Sequence, residues 1–477
     1  HGDDLFRYGH VGKFKTYQDR FFTFGTDTSS NVTGFIHRGF IDTLMTFDGS
    51  NSSNPDLAAY TQQYYDMFLE NELQSLSFGG SGNRGVIRTA NDLGELGLLN
   101  GQGPRSVYSL YYNYGDQYGS YGKQQAEQFS IRANGSADIK DHAIQFGFEY
   151  EKRTDRSWFV APNPLWTLAR QLTNFHIQEL DLANPQFNAL GTYDQVYYSR
   201  LVNSDAQSRF DLNLREKYGI APDEYIDIDS FDPNQLSIDM FSADELNENE
   251  LISYYGYDYK GELLSSSTSI EDFYTKRNNI EDFGNDDFVR NIGAFEPIYT
   301  AGYIQDKFAF DDLIFSIGLR VDRYDANQSV LADEYCLYDT YSVNSNDNFG
   351  LLTGNYLRPV GIGDDFVVYV NDIDQPTEIV GYRNGNDWYD QNGESINDPK
   401  ALAQASTTGQ ITPYLVNPED SIPVFKDYEP QTDFSPRISF SFPISDQAQF
   451  FAHYDVLTQR PPSGNRLEPI DYLYLED

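Results

Sequence analysis

The chain contains one glycine motif whose spacing is used in other proteins to bind phosphates. Gly80, Gly82 and Gly85 form the pattern GxGxxG, which binds a dinucleotide when a buried strand precedes it and a helix follows it. The residues that come next, VIRTANDLGELG, do not supply this βαβ context. We therefore interpret the motif as a glycine-rich loop, and the sequence predicts no cofactor.

An acidic run at residues 384–399, NGNDWYDQNGESINDP, contains oxygen donors of the kind that bind hard cations. Its candidate metal ligands are Asp387, Asp390, Asn392 and Glu394. Calcium takes about six to eight oxygen ligands, and the D-x-D-x-D-G spacing of an EF-hand is missing here. We favour a plain Asn-Gly turn at residues 392–393, with Ca²⁺ binding on the acidic loops as the alternative.

The other residue types give no sign of catalysis. The GxSxG, HExxH and P-loop motifs are absent, and the histidines do not fall at a metal-binding spacing. The single cysteine, Cys336, excludes an intrachain disulfide and a thiolate metal cluster. We therefore predict a protein that is not an enzyme and has no catalytic residues.

The charge balance narrows the classes of partner. The chain has 33 basic and 73 acidic side chains, which gives a net charge of −40. Nucleic acid is excluded as a main partner, because phosphate binding requires clustered Lys and Arg. Aromatic residues make up 16% of the chain, a content that argues against disorder. The sequence has no run of about 18 apolar residues, so it predicts no transmembrane helix.

Alternation of apolar and polar residues predicts β-strands, because successive side chains of a strand point to opposite faces. The two clearest examples are AIQFGFEYEKR from Ala143 and LIFSIGLRVDRYD from Leu313. Their apolar face is assigned to Phe146, Phe148, Ile317 and Leu319. Their polar face is assigned to Gln145, Glu149, Arg320 and Asp322. Four more strands are predicted at residues 129–139, 299–310, 438–442 and 450–456.

Short polar turns alternate with very long connections along the chain. The turns are predicted around Asp141, Asp311 and Asp446. The long connections cover residues 48–104, 156–296 and 326–432, and Ser242 in the second one is the predicted N-cap of a short helix. Soluble domains rarely contain loops longer than about 15 residues, whereas outer-membrane barrels combine tight periplasmic turns with long extracellular loops. The pattern favours a barrel over the alternative, a soluble β-sandwich with large insertions.

Two of the predicted hairpins resemble a known family. Residues 301–325, AGYIQDKFAFDDLIFSIGLRVDRYD, resemble the mid-barrel strand–turn–strand of TonB-dependent outer-membrane receptors. Residues 434–462, FSPRISFSFPISDQAQFFAHYDVLTQRPP, resemble the Ser-Pro-Arg hairpin of the same family. FRYGHVGKFKTY at residues 6–17 and the acidic run at 384–399 are similar to large Bacteroidota-type receptors akin to Oar.

The resemblance implies an all-β fold, an antiparallel transmembrane β-barrel of about 22 strands with long extracellular loops. Residues 1–477 are then part of that barrel domain, and the plug domain, the TonB box and the C-terminal strands are expected outside this chain. The residues expected to face lipid are Phe146, Phe148, Ile317 and Leu319. The residues expected to face the lumen are Gln145, Glu149, Arg320 and Asp322.

The function that the resemblance implies is that of an outer-membrane receptor and transporter, which captures a ligand with its extracellular loops and imports it. The alternative is a surface-binding, adhesin-like barrel or a barrel subunit of a larger secretion or motility assembly. The implied location is the outer membrane of a Gram-negative bacterium. The implied partners are outer-membrane lipid and lipopolysaccharide, TonB through the plug region, and a surface lipoprotein lid.

Overall fold

A computed structural model of the chain describes residues 4–26, 33–69, 98–102, 120–184, 186–190, 193–264, 268–278, 287–344, 358–416, 423–461, 466 and 468–475. Strand accounts for 40% of the structure and helix for 21%, and the sheets are antiparallel, so the chain is mostly antiparallel β-sheet, as predicted, but it also contains helices that the predicted all-β class did not include. Two compact units are present. Unit 1 comprises His1–Gln124, Ser157–Leu263 and Asn278–Val289, and unit 2 comprises Gln125–Arg156, Leu264–Arg277 and Arg290–Asp477.

The described residues form eighteen strands and seven α-helices. The strands are β1 (Lys13–Thr26), β2 (Thr33–Asp48), β3 (Tyr121–Ile139), β4 (His142–Val160), β5 (Gln186–Leu190), β6 (Tyr193–Tyr197), β7 (Ile252–Tyr255), β8 (Ile298–Phe310), β9 (Leu313–Asp325), β10 (Ser329–Leu331), β11 (Val367–Val370), β12 (Ile379–Asn384), β13 (Asp387–Asp390), β14 (Ser395–Ile396), β15 (Thr412–Pro413), β16 (Phe425–Asp427), β17 (Gln431–Ser445) and β18 (Ala448–Asp455). The helices are α1 (Leu5–Tyr8), α2 (Pro55–Leu69), α3 (Pro164–Leu172), α4 (Arg209–Tyr218), α5 (Ala243–Glu248), α6 (Glu271–Thr275) and α7 (Lys400–Ala405). Short 3₁₀ segments lie at Phe175–Ile177, Ser204–Ala206, Ile228–Ser230, Pro233–Gln235, Ile238–Met240 and Pro469–Leu475.

The largest sheet, called the main sheet below, has the strand order β18-β17-β9-β8-β4-β3, with β7 paired to one end of β4. Two-residue turns join its hairpins β3–β4, β8–β9 and β17–β18 at the predicted positions. Lys140 and Asp311 in these turns have φ of 56° and 50°, the left-handed conformation that short hairpin turns require. All six strands predicted from alternation are therefore present. None of the sheets formed by the described residues is closed, so they do not make a complete barrel wall.

The hairpin of β1 and β2 is the longest element that alternation did not predict. The two strands pair antiparallel along their length, but the register shifts between Thr16 and Tyr17 and again between Phe21 and Phe22. Each such irregularity moves the following side chains to the opposite face of the strand. The unmatched residues, Leu44 and Arg38, both belong to β2, so the period of two is interrupted twice within β2.

The segments 156–296 and 326–432, interpreted from the sequence as long loops, contain folded structure of their own. The second segment holds a five-stranded sheet with the order β14-β13-β12-β11-β15. One core in this region consists of Val343, Ile362, Phe366, Val368, Val370, Ile379 and Tyr382. A second core consists of Tyr369, Val380, Trp388 and Leu402. Apolar burial, rather than hydrogen bonding alone, therefore stabilises this region.

In unit 1, Phe241, which precedes the N-cap of α5, packs against α4 through stacked aromatic rings. The ring centroids of Phe210 and Phe241 lie 4.4 Å apart, and both side chains are buried. The Ser242 hydroxyl accepts the backbone N–H of Glu245, and the Glu245 carboxylate accepts the N–H of Ser242. This capping box confirms the short helix predicted at Ser242. Of the helices in the described ranges, none combines the length and apolar character needed to cross a bilayer.

Candidate functional site

The main sheet has an apolar face and a polar face. Residues opposite each other in antiparallel strands point to the same side, so the register brings Phe146, Ile304 and Leu319 together from β4, β8 and β9. Phe146 is 51% exposed and Ile304 is 56% exposed, which is far from the burial that a soluble core would give them. The four side chains predicted for the apolar face, Phe146, Phe148, Ile317 and Leu319, all lie on it and are exposed.

A row of aromatic rings crosses the apolar face close to the hairpin turns. Its members are His142, Phe308, Phe315, Phe440 and Phe450, one on each of β4, β8, β9, β17 and β18. Neighbouring ring centroids are between 5.2 and 6.2 Å apart. The sequence reasoning missed this row, although Phe308 and Phe315 stand at equal distances from the turn at 311–312. Residues at equal distances from a hairpin turn lie opposite each other, so the sequence contained the information needed to pair these two rings.

On the polar face, Arg320 is the centre of a hydrogen-bond network. Its Nε donates to Oδ1 of Asp322 over 2.9 Å, and its Nη2 donates to the hydroxyl of Tyr299 over 2.8 Å. Tyr299 in turn donates that hydroxyl to Asp322. Nη2 of Arg320 also lies 3.3 Å from Glu149, which accepts a second hydrogen bond from Arg132 over 2.8 Å. The structure therefore brings three of the four predicted polar-face residues into one network.

Gln145, the fourth predicted residue of the polar face, lies outside the network. It is exposed and stands opposite Gln305 of β8, which donates to Ser316. Tyr299 and Arg132 belong to the network, but the sequence assigned neither of them to the polar face. Their contribution depends on the register between strands, which alternation within a single strand does not reveal.

The chain segment after β18, residues 457–461, lies against the polar face. The guanidinium of Arg460 is 3.9 Å from the ring centroid of Tyr299, and its Nη1 donates to Oε1 of Glu151 over 2.7 Å. Between this segment and the side chains of β8, β9 and β17 lies a cavity of about 770 Å³, called the polar-face cavity below. Such a volume falls in the range of about 300–1,000 Å³ that is typical of small-molecule sites.

The acidic run contains a turn where the sequence favoured one. The Asp390 carboxylate accepts the backbone N–H groups of Asn392 and Glu394, both over 2.9 Å, and Gly393 has a φ of 84°. Asp390 thus stabilises the turn between β13 and β14, and Asp387 lies opposite Asn384 at the start of β13. The described residues contain no group of three His, Cys, Asp or Glu side chains arranged to hold a metal ion. Ca²⁺ binding on the acidic loops stays a prediction, and the glycine motif at 80–85 lies outside the described residues.

Comparison with known proteins gave no relative. No family model matches the chain, and neither a curated sequence nor a solved structure shows significant similarity to it. The function is therefore argued from the residues and the geometry of the chain itself.

Proposed function

We propose that this chain forms part of the wall of a TonB-dependent outer-membrane receptor, which captures a ligand with its extracellular segments and imports it. The observation that carries the proposal is the polarity of the main sheet, with exposed apolar side chains on one face and the Arg320 network on the other. One ion pair, between His142 and Asp306, lies on the apolar face close to the hairpin turns. Contiguous exposed apolar patches of more than a few hundred Å² are rare in soluble monomers. A bilayer makes the same arrangement favourable, because hydrocarbon covers the apolar face.

The geometry of the strands supports contact with lipid. β8 and β9 each have 13 residues, more than the roughly 9–11 that a tilted strand needs to cross a bilayer. The aromatic row lies near one end of these strands, as the aromatic girdles of outer-membrane barrels do. In this proposal Phe146, Phe148, Ile317 and Leu319 contact lipid.

The polar face lines the lumen in this proposal. Glu149, Arg320 and Asp322 are partnered with one another, so they do not place unpaired charges in the barrel interior. The wall is completed to about 22 strands, because an unpaired strand edge in hydrocarbon leaves backbone groups without hydrogen bonds. The partners are outer-membrane lipid and lipopolysaccharide, TonB through a plug, and a surface lipoprotein lid.

Fluorescence quenching can test which face meets lipid. Ile304→Trp places an indole on the apolar face, and Gln305→Trp, the next residue, places one on the polar face. We expect brominated lipid in reconstituted vesicles to quench the indole at position 304 strongly and the one at 305 weakly. Heat-modifiable migration in detergent should accompany this result. Equal quenching at both positions would contradict the proposal.

A surface-binding barrel is the second candidate function. The two apolar cores within residues 326–432 favour it, because a folded module carried on a barrel is suited to recognition. Import requires TonB and the proton motive force, whereas surface binding requires neither. Ligand accumulation that persists in cells without TonB would therefore favour the second candidate.

A further inference from the structure

A groove on the apolar face of the main sheet, called the hairpin groove below, lies where the hairpins β8–β9 and β17–β18 separate. The last paired residues of β9 and β17 at this end are Ile314 and Ser441, whereas β17 continues to Ser445. Pro443 lies in this extension and has no N–H group to donate to a neighbouring strand. The pairing therefore ends here and leaves an open cavity of about 650 Å³.

Apolar side chains line the hairpin groove, and two carboxylates lie at its mouth. The apolar members are Phe310, Leu313, Phe315, Phe440, Phe442 and Pro443. Phe310 is 71% exposed and Phe442 is 37% exposed, so both rings are accessible to an apolar ligand. The carboxylates are those of Asp311 and Asp312, which are exposed and have no ion-pair partner among the residues that the structure describes. The groove thus joins an apolar channel to a negative charge, which fits an amphiphile with a cationic head.

The whole turn end of the main sheet is negative. Its three hairpin turns carry Asp141, Asp311, Asp312 and Asp446, and their basic residue is Lys140, which leaves a net charge of −3. An anionic headgroup at the groove would lie beside two carboxylates and be repelled by them. A primary ammonium group would instead donate charge-assisted hydrogen bonds to the carboxylates and be attracted by the faces of the aromatic rings.

In the receptor proposal this face meets hydrocarbon, so every phospholipid supplies acyl chains to the rings of the groove. The headgroup therefore decides which phospholipid binds best. The carboxylates lie just beyond the aromatic row, and rings of that kind mark the level of the headgroups in outer-membrane barrels. Asp311 and Asp312 are thus placed to contact the headgroup rather than the acyl chains.

We propose that the hairpin groove binds a phospholipid with a primary ammonium headgroup, such as phosphatidylethanolamine. Its ammonium group lies at Asp311 and Asp312, and one of its acyl chains lies against the aromatic rings of the groove. The inference goes beyond the proposed function, because it adds a lipid site with headgroup preference. It rests on that proposal for the contact with a membrane, whereas binding in detergent can be measured separately.

A tryptophan in the groove reports binding of lipids with brominated acyl chains. Phe442→Trp supplies the reporter, and the protein in neutral detergent is titrated with brominated phosphatidylethanolamine, phosphatidylcholine or phosphatidylglycerol. The second lipid has a quaternary ammonium without an N–H donor, and the third is anionic. We expect phosphatidylethanolamine to bind about threefold or more tightly than either of the others. The reporter Ile304→Trp, on the same face but outside the groove, should be quenched equally by all three lipids.

Substitutions in the turns test the role of the carboxylates. Asp311→Asn with Asp312→Asn should abolish the preference for phosphatidylethanolamine at the Phe442→Trp reporter. Asparagine also adopts the left-handed conformation of Asp311, whose φ is 50°, and Asp312→Asn alone, which leaves that residue unchanged, should weaken the preference in the same direction. Asp141→Asn with Asp446→Asn is the matched control, because it removes the same charge from the two turns that do not line the groove. The control should keep the preference.

The outcomes distinguish this inference from the proposed function. Equal quenching of the groove reporter by the three lipids, in a chain that passes the vesicle test at positions 304 and 305, overturns the inference and leaves the receptor proposal standing. A preference for phosphatidylethanolamine that depends on Asp311 and Asp312, in a chain that fails the vesicle test, supports the inference and contradicts the receptor proposal. Tighter binding of phosphatidylglycerol, or an equal loss of preference in the control, also overturns the inference, because the groove carboxylates would then not select the headgroup.

Discussion

At the scale of single residues, Arg320 stabilises the polar face of the main sheet, because its guanidinium pairs with two carboxylates, those of Glu149 and Asp322. The side chains of Glu149 and Asp322 are 16% and 12% exposed, so without the arginine two negative charges would remain in largely desolvated surroundings. Breaking one partner of such a network is more destabilising than replacing the whole network by apolar groups. Because its members come from β3, β4, β8 and β9, the network also joins four strands.

We expect Arg320→Met to lower the free energy of unfolding by about 2–4 kcal/mol, because Asp322 loses its arginine partner and Glu149 keeps only Arg132. The measurement is denaturant unfolding in detergent, followed by the loss of β-sheet circular dichroism. Arg323→Met is the control, since Arg323 lies on the same strand, is half exposed and is 3.9 Å from Asp325. Its effect should stay below about 0.5 kcal/mol. Similar losses in the two variants would show that the network does not stabilise the sheet.

Two groups of unit 1 titrate with opposite effects on stability. Burial lowers the pKa of His10 from 6.5 to about 4, and burial together with the charge of Asp229 raises the pKa of Asp227 from 3.8 to about 6. Between pH 4 and 6.5 the unfolded chain binds more protons at His10, so this group makes stability rise with pH. Between pH 3.8 and 6 the folded chain binds more protons at Asp227, so this group makes stability fall with pH.

Asp227→Asn should therefore reveal the contribution of His10. In this variant we expect the temperature of thermal unfolding to rise more steeply from pH 4 to pH 6 than it does in the unchanged protein. Asp223→Asn, which alters an exposed acid four residues earlier, should keep the original pH dependence. If Asp227→Asn also keeps it, protonation of Asp227 is not coupled to folding.

At the scale of elements, the sequence predicted strands wherever one face is apolar and the other polar without interruption. The predicted segments of the main sheet meet this condition, whereas β2 contains two residues, Arg38 and Leu44, that have no opposite residue on β1. β12 is missed for another reason, because five of its six residues are buried and its two faces do not differ. The helix α4 had a readable signal, since Ser208 accepts the N–H of Asp211 at its start and Gly219 follows its last residue with a φ of 65°.

A single carboxylate of α5 joins the N-terminal ends of α5 and α4 by hydrogen bonds. Glu245 accepts the backbone N–H groups of Ser242, Arg209 and Phe210. We expect Glu245→Ala to reduce stability by about 3 kcal/mol, because three N–H groups lose their acceptor, and Ser242→Ala by about 1 kcal/mol. Hydrogen exchange locates the effect: the amides of Arg209 and Phe210 should lose protection in Glu245→Ala and keep it in Ser242→Ala. Equal protection in both variants would contradict this role of Glu245.

At the scale of the whole molecule, the sequence predicted the class of fold and the positions of its hairpins but not the polar-face cavity. The cavity depends on contacts between distant parts of the chain, and Arg460 and Glu151 are 309 positions apart. Periodicity describes only neighbours within one element, so it cannot locate such a contact. The long segments 156–296 and 326–432 were interpreted as loops because they separate hairpins with short turns and show no regular alternation. Their buried residues follow no simple period, so the sequence did not reveal their folded structure.

Removal of residues 333–423 tests whether the main sheet can fold without this connecting segment. The strands β10 and β16 pair with each other where the segment begins and ends, and Ala332 donates its N–H to the carbonyl of Val424 over 3.1 Å. Replacing residues 333–423 by Asn-Gly should therefore close a two-residue hairpin between Ala332 and Val424. The apolar cores inside the segment consist of its own residues, so their removal takes no side chain from the main sheet.

We expect the shortened protein to keep its β-sheet circular dichroism and its heat-modifiable migration in detergent, because closing a shorter loop costs less conformational entropy. Deletion of residues 238–250 is the contrasting control. That segment supplies Met240, Phe241 and Leu246, each less than 5% exposed, to unit 1, so its loss should leave the stacked ring of Phe210 uncovered and unfold α4. Loss of the main sheet in the 333–423 variant would mean that this segment is needed for the sheet to fold. If the 333–423 variant keeps the main sheet and the 238–250 deletion loses α4, the two segments have different roles. Residues 333–423 then contain their own core, whereas residues 238–250 complete the core of unit 1.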